Sequence, residues 1–178
     1  DLLRVIGCGV EVKTKRKEDM VPFDMANLKW AKIIICTDAD EDGFQIRTLL
    51  LTLFYRLLPS LIEAGRIYIA ESPLFEITPQ KGDTLFAYNE PEKARIVREL
   101  EEKGMKYTLQ RSKGLGENEP DMMSKTTMNP ATRRLIRITP TDAAATARMF
   151  ETLLGDDLPG RKQFIRENGA RYMADADI

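Results

Sequence analysis

The order of apolar and polar positions divides the chain into short elements. Residues 2–9 close on Gly7 or Gly9 and read as the tail of a helix. Residues 11–29, with Lys13, Lys15, Arg16 and Lys17, read as a solvated polar link. Ile33-Ile34-Ile35-Cys36 is a continuous β-branched run, the pattern of a strand covered on both faces in a parallel sheet. From Gln45 to Leu58, Ile46, Leu49, Leu50, Leu53 and Leu57 recur at helical spacing up to Pro59, which predicts a buried amphipathic helix directly after the strand. A second strand, Arg66–Ala70, follows Gly65, and strand, helix, strand in this order predicts a βαβ unit of a doubly wound α/β fold.

Beyond Pro73 the apolar pieces shorten. Leu74–Ile77 and Leu85–Tyr88, separated by Lys81-Gly82-Asp83, predict a hairpin. Asn89 with Glu92 three residues later is a capping-box pattern for a surface helix that stops at Gly104. A strand at about Lys106–Gln110 leads into a glycine-bearing segment. Asn129-Pro130 carries the signature of a helix start, Thr141-Asp142 opens a helix reaching Leu154, and a last helix spans about Gly160–Asn168. The division expected is 1–30 as helix end and linker, 31–118 as an α/β core with a short hairpin and helix inserted, and 119–178 as a helical tail.

Of the 178 residues, 43% are hydrophobic and 31% charged, enough apolar material for one compact domain, with or without a small appendage. Lys+Arg 27 against Asp+Glu 28 leaves a net charge of −1, so any nucleic-acid contact has to come from local clustering. Cys8 and Cys36 form no CxxC pair, which argues against a zinc ribbon and fits a reducing compartment. The absence of histidine removes His-based metal sites, Ser-His triads and imidazole bases. The longest apolar stretch, Ile46–Leu58, is broken by Arg47 and Arg56 and is too short for a bilayer span. Asp1-Leu2-Leu3-Arg4 has neither an initiator Met nor a signal pattern and reads as the start of a piece from a longer polypeptide.

The chemistry concentrates at the carboxyl end of the first strand, in Thr37-Asp38-Ala39-Asp40-Glu41-Asp42-Gly43. In an extended segment Asp38, Asp40 and Asp42 point the same way, and three such carboxylates repel one another unless a cation neutralises them. Oxygen ligands favour a hard ion, Mg²⁺ first and Mn²⁺ as a substitute. Carboxyl ends of strands are also where open α/β sheets bind ligands. The plainer reading is an acidic turn capping the next helix. An EF-hand is excluded because Leu49 and Ile46 stand at its twelfth and ninth positions. A dehalogenase-like phosphatase is a runner-up only, because Asp42 stands where that family has Thr or Val.

The second constellation is Gln110-Arg111-Ser112-Lys113-Gly114-Leu115-Gly116-Glu117. Gly114 and Gly116 permit close approach of backbone to a phosphate chain, and Arg111 and Lys113 supply charge. Six basic residues, Arg111, Lys113, Lys125, Arg133, Arg134 and Arg137, face three acidic ones between 111 and 137, a modest excess suited to a nucleic-acid backbone.

Together, Thr37–Leu51 and Gln110–Glu117 resemble the TOPRIM region of bacterial type IIA DNA topoisomerases, in the gyrase B or equivalent topoisomerase IV subunit. Thr126-Thr127-Met128-Asn129-Pro130, Arg133-Arg134, Leu153–Asp156 and Arg161–Ile165 are similar to the tail of that subunit. The resemblance implies a Rossmann-like, mostly parallel sheet, truncated at its N-terminus, with a helical tail. It implies Mg²⁺ on Asp38 and Asp40 with Asp42 assisting. It also implies double-stranded DNA near Arg111, Lys113, Gly114, Gly116, Arg133 and Arg134, cut by a tyrosine of an A-type partner subunit in an A2B2 assembly. ATP would bind an upstream domain outside these residues, and the protein would be cytoplasmic and nucleoid-associated. The family's upstream Glu-Gly-Asp-Ser stretch, which carries a further metal ligand, is not found between Asp1 and Trp30. Gln45 and Ser112 replace a usual His and a usual aromatic, the pattern of an alternative, a DNA-binding paralogue without cleavage.

Overall fold

The structure, a computed structural model, describes residues 1–12, 21–112, 114–117, 120–140 and 143–172. The chain forms two compact units. One comprises Asp1–Lys29, Leu51–Arg66 and Ile138–Ile178, the other Trp30–Leu50 and Ile67–Arg137.

In the first unit, α1 (Leu2–Ile6) ends at Gly7. Ile6, Cys8, Val10, Phe54, Leu58, Leu61 and Ile62 are its buried apolar residues. Val10 bridges Pro22 in parallel, and the contact requires glycine at position 9. Gly9 has φ +74, and a Cβ there would lie 2.6 Å from the Val21 carbonyl oxygen. The basic part of the expected polar link, Lys13 to Lys17, lies outside the described residues. Pro59 starts α3 (Pro59–Glu63). Its first turn is satisfied from 49 residues away, where the Glu11 carboxylate accepts from Ser60 N at 2.9 Å and Ser60 Oγ at 2.8 Å. The helices α6 (Ala143–Leu154) and α7 (Leu158–Tyr172) complete the unit. Phe150 of α6 stacks on Tyr55 with ring centroids 4.2 Å apart.

The second unit holds two small sheets. In the first, β1 (Ile33–Ile35) runs parallel to β2 (Ile67–Ala70), pairing Ile33 with Ile67 and Ile35 with Ile69. β6 (Leu135–Arg137) lies antiparallel on the other side of β2. The second sheet has the order β4-β3-β5, all antiparallel, from β3 (Phe75–Pro79), β4 (Leu85–Ala87) and β5 (Tyr107–Arg111). It is backed by α4 (Glu90–Glu102). Phe75, Ile77, Ala87 and Leu100 form their shared core, with Leu74, Ile96, Met105 and Tyr107 against it. Full burial of a side chain such as Ile77 contributes about 1.5–3 kcal/mol. α4 starts as the sequence predicts: Asn89 Oδ1 accepts from Glu92 N at 2.8 Å, and the Glu92 carboxylate accepts from Tyr88 N at 3.1 Å.

The expected βαβ unit is present as β1, α2 (Glu41–Leu57) and β2. Its details differ. α2 begins four residues before Gln45, and Ile46 and Leu49 are exposed rather than buried. The inward stripe runs instead through Gly43, Arg47, Leu50, Phe54 and Leu58, all half-buried or buried. Counting apolar residues alone overlooks Gly43 and Arg47 and so sets the helix face one residue out of phase. Ile33 and Ile34 of β1 are half-buried, not covered on both faces. Asn129-Pro130 does not open a helix. α5 (Pro120–Met123) and a π-helical turn (Ser124–Met128) precede it, and Asn129 Oδ1 accepts from Ala131 N at 2.9 Å to form a turn into β6. α7 starts before the predicted Gly160 and ends after Asn168. Thr141 and Asp142 lie outside the described residues.

Glu11→Ala removes both acceptors from the first turn of α3. The expected cost is about 1–2 kcal/mol, read as a lowered midpoint in urea unfolding, with Glu11→Gln retaining part of the stability.

Candidate functional site

The polar stretch after β1 is held by its own backbone contacts. Asp40, immediately before α2, caps it: Oδ1 accepts from Gly43 N at 2.7 Å, and the main-chain carbonyl accepts from Phe44 N at 3.0 Å. Asp38 does something the linear sequence does not announce. Its Oδ1 accepts from the backbone N of Leu115, 77 residues away, at 2.7 Å. This bond joins the acidic turn to the glycine segment, both within the second unit.

Gly43 makes the arrangement sterically feasible. A Cβ on Gly43 would fall inside the contact distance of the Asp38 carbonyl oxygen and 2.7 Å from its carbonyl carbon, so α2 packs directly on the Asp38 backbone. Arg47, one turn on, donates from Nη2 to Thr37 Oγ1 at 3.3 Å and lies over the Phe44 ring at 5.1 Å. Its Nε is buried with no partner among the described residues, and burial lowers its pKa. Burial likewise raises the pKa of the Cys36 thiol, which is therefore a poor nucleophile.

The three aspartates are not equivalent. Asp38 and Asp40 are half-buried and anchored, whereas Asp42 is exposed in the first turn of α2. The chain turns helical at Glu41, so the alternation of an extended segment does not extend to Asp42. Among the described residues, no three Asp, Glu, His or Cys side chains group into a ready-made metal cluster. Asp38 and Asp40 each use Oδ1 in a backbone hydrogen bond. Their hard oxygens suit a divalent ion held by one or two carboxylates and completed by water or phosphate oxygens, not a closed protein cage.

Opposite, Arg111 is exposed at the end of β5, Gly114 is half-buried, and Leu115–Glu117 form a single 3-10 turn. A Cβ on Gly116 would meet nothing within 4 Å among the described residues. Lys113 lies outside the described residues. Arg133 is half-buried, with Nη1 at 3.5 Å from the Met128 carbonyl.

Arg134 is engaged within the protein. Nη1 pairs with Glu92 Oε1 at 2.8 Å, and its guanidinium carbon lies 3.8 Å from the Tyr88 ring centroid. Each partner registers the other: Arg134 beside it holds the Glu92 carboxyl below its ordinary 4.5, and the Glu92 hydrogen bond raises Arg134. Sequence reasoning misses Glu92 and Tyr88 as partners of Arg134, and Leu115 N as the partner of Asp38. The capping pattern at Asn89 is the one signal pointing to Glu92.

The sequence is similar to known proteins over most of its length. Residues 3–72 match the Toprim domain, and residues 104–166 match the carboxyl terminus of the DNA gyrase B subunit. The chain is 42% identical to the DNA gyrase B subunit of Metamycoplasma hominis over 177 residues, covering 99% of this chain and 26% of that protein. It is 46% identical to that of Thermotoga maritima over 156 residues, 88% of this chain and 24% of that protein. The figure for Haloferax volcanii is 49% over 146 residues, 82% and 22%. The chain thus spans about a quarter of the length of the curated relatives it matches. No helix among the described residues is long and apolar enough to cross a membrane.

Gly43→Ala is expected to destabilise by about 1–3 kcal/mol through overpacking on Asp38, although glycine to alanine within a helix ordinarily stabilises. The sign of the change in thermal midpoint decides it. The Glu92–Arg134 pair carries a pH signature. The folded pKa of Glu92 lies below its unfolded value, so its stabilisation is complete above the unfolded value and is lost as pH falls through the folded one. Because the Arg134 side chain is 44% exposed, the loss should stay under about 1 kcal/mol. Acid titration of stability in wild type and Glu92→Gln should differ by that amount above pH about 4.5 and converge below the folded pKa.

Proposed function

Because the chain belongs to the DNA gyrase B family, carrying a Toprim domain and that family's carboxyl-terminal segment, we propose that it supplies the metal-binding half of a type II topoisomerase cleavage site. The observation that carries this reading is the Asp38–Leu115 hydrogen bond, which sets an acidic, metal-competent turn beside a glycine segment suited to a phosphate backbone. Asp38 and Asp40 hold a divalent ion, Mg²⁺ by preference and Mn²⁺ as a substitute, and exposed Asp42 assists through charge or bound water. When bound, the ion stabilises charge on the phosphodiester oxygens during strand breakage and rejoining.

The chain's own residues bind and orient. Arg111, Lys113 and Arg133 attract the phosphates of double-stranded DNA, while Gly114 and Gly116 let backbone N–H groups approach them. Gly43 and Arg47 keep the acidic turn seated on α2, so that Asp38 and Asp40 meet the DNA in a fixed orientation. The nucleophilic tyrosine belongs to an A-type partner subunit in an A2B2 assembly, and ATP is used by a domain upstream of these residues. In this reading residues 31–118 form the metal-binding core, residues 119–178 face DNA and partner, and the parent protein acts in the cytoplasm on nucleoid DNA.

The test uses the full-length protein with its A-type partner and supercoiled plasmid, with covalent complexes trapped by detergent. Wild type should give linear DNA attached to the partner only when Mg²⁺ or Mn²⁺ is present. Asp40→Ala should lower cleavage by about 100-fold or more, as loss of an electrostatic group at a reacting centre does, with folding retained. Plasmid binding without cleavage by wild type would instead support the diverged paralogue and direct attention to Gln45 and Ser112.

A further inference from the structure

Arg134 follows Arg133 in a basic pair, yet its side chain is committed within the protein. It spans the two sheets of the second unit. On one side its backbone carbonyl accepts from Glu71 N at 3.1 Å, just past β2, and it leads directly into β6. On the other its guanidinium pairs with Glu92 of α4 at 2.8 Å and stacks on Tyr88, which follows β4. Glu92 is itself fixed, because its second oxygen accepts from Tyr88 N and its own N donates to Asn89. The carboxylate that meets the guanidinium is thus preset by the start of α4.

The consequence reaches the candidate site. The acidic turn leaves the first sheet at β1, and the glycine segment leaves the second at β5. The Asp38–Leu115 bond joins the two segments that leave these sheets. The angle between the sheets therefore decides whether Asp38 meets Leu115, and Arg134 is a second fastening across that boundary. We infer that Arg134 is a positioning residue, acting through Glu92 and Tyr88 to hold the glycine segment against the acidic turn, and not a ligand for DNA phosphate. The inference rests on the proposed site for its functional weight, while its geometry can be tested without DNA.

The experiment uses full-length protein and two variants, Arg134→Ala and Glu92→Gln, with two readouts. The first is amide hydrogen exchange at Leu115, compared with Ile35 and Ile69 in the β1–β2 pair. Arg134→Ala, which loses the ion pair and the ring contact, should speed Leu115 exchange by about fivefold, and Glu92→Gln, which loses only the charge of the pair, by about twofold, with Ile35 and Ile69 unchanged in both. The second is affinity for a linear DNA duplex as a function of salt. Arg134→Ala should keep the wild-type salt slope, whereas Arg111→Ala, as a phosphate contact, should reduce it by about one. A slope reduced by about one in Arg134→Ala overturns the inference, as does unchanged Leu115 exchange in both variants. If Arg134→Ala unfolds and all three amides accelerate, Glu92→Gln, which keeps shape and removes the charge, decides alone by the exchange readout. A wild type without affinity for the duplex defeats the proposed function, while the exchange readout still decides the role of Arg134.

Discussion

A single carboxylate oxygen joins the two halves of the candidate site. Asp38 lies three residues beyond a strand of one small sheet, Leu115 follows a strand of another, and a 2.7 Å bond joins the two segments. A carboxylate accepts here with one oxygen and retains a second, charged one, which an amide side chain lacks. The bond in turn depends on the Asp38 backbone sitting flush against α2, which only glycine at position 43 permits. The meeting of the acidic and glycine segments and the packing of α2 thus rest on one geometric arrangement.

Stability and reactivity occupy different places in the second unit. Ile77 and Ala87 are fully buried and Leu100 nearly so, beneath β3, β4 and α4. By contrast β5 is exposed from Thr108 to Arg111, and Asp42 and Gly116 are open to solvent. A packed core thus carries a solvent-exposed rim. The same separation accounts for the raised pKa of Cys36 and the depressed pKa of Arg47, which mark burial beside the site.

Much of this is legible in the residues themselves. A β-branched run, a capping box and a Lys-Gly-Asp turn point to β1, α4 and the β3–β4 hairpin, because each signal is local and strong. The acidic and glycine motifs are visible as residue types, but their meeting is not, since nothing in the neighbourhood of Asp38 specifies Leu115. β6 escapes because three residues, Leu135–Arg137, carry too little alternation to separate from a loop. The phase of α2 misleads because its inward stripe includes a glycine and an arginine. Arg134 looks like a surface cation, and only the fold supplies Glu92, 42 residues earlier, as its partner.

The span between Asp38 and Leu115 also orders events in time. The β3–β4 hairpin and α4 close over short distances and gain burial of Phe75, Ile77 and Leu100 early. The bond that unites the acidic turn with the glycine segment closes a loop of 77 residues, whose entropy is offset only after both sheets exist. During synthesis, a chain emerging as far as α4 already carries Asp38, Asp40 and Asp42 but no Leu115 to restrain Asp38. Asp38 therefore stays unlatched until the chain beyond β5 supplies the backbone N–H of Leu115.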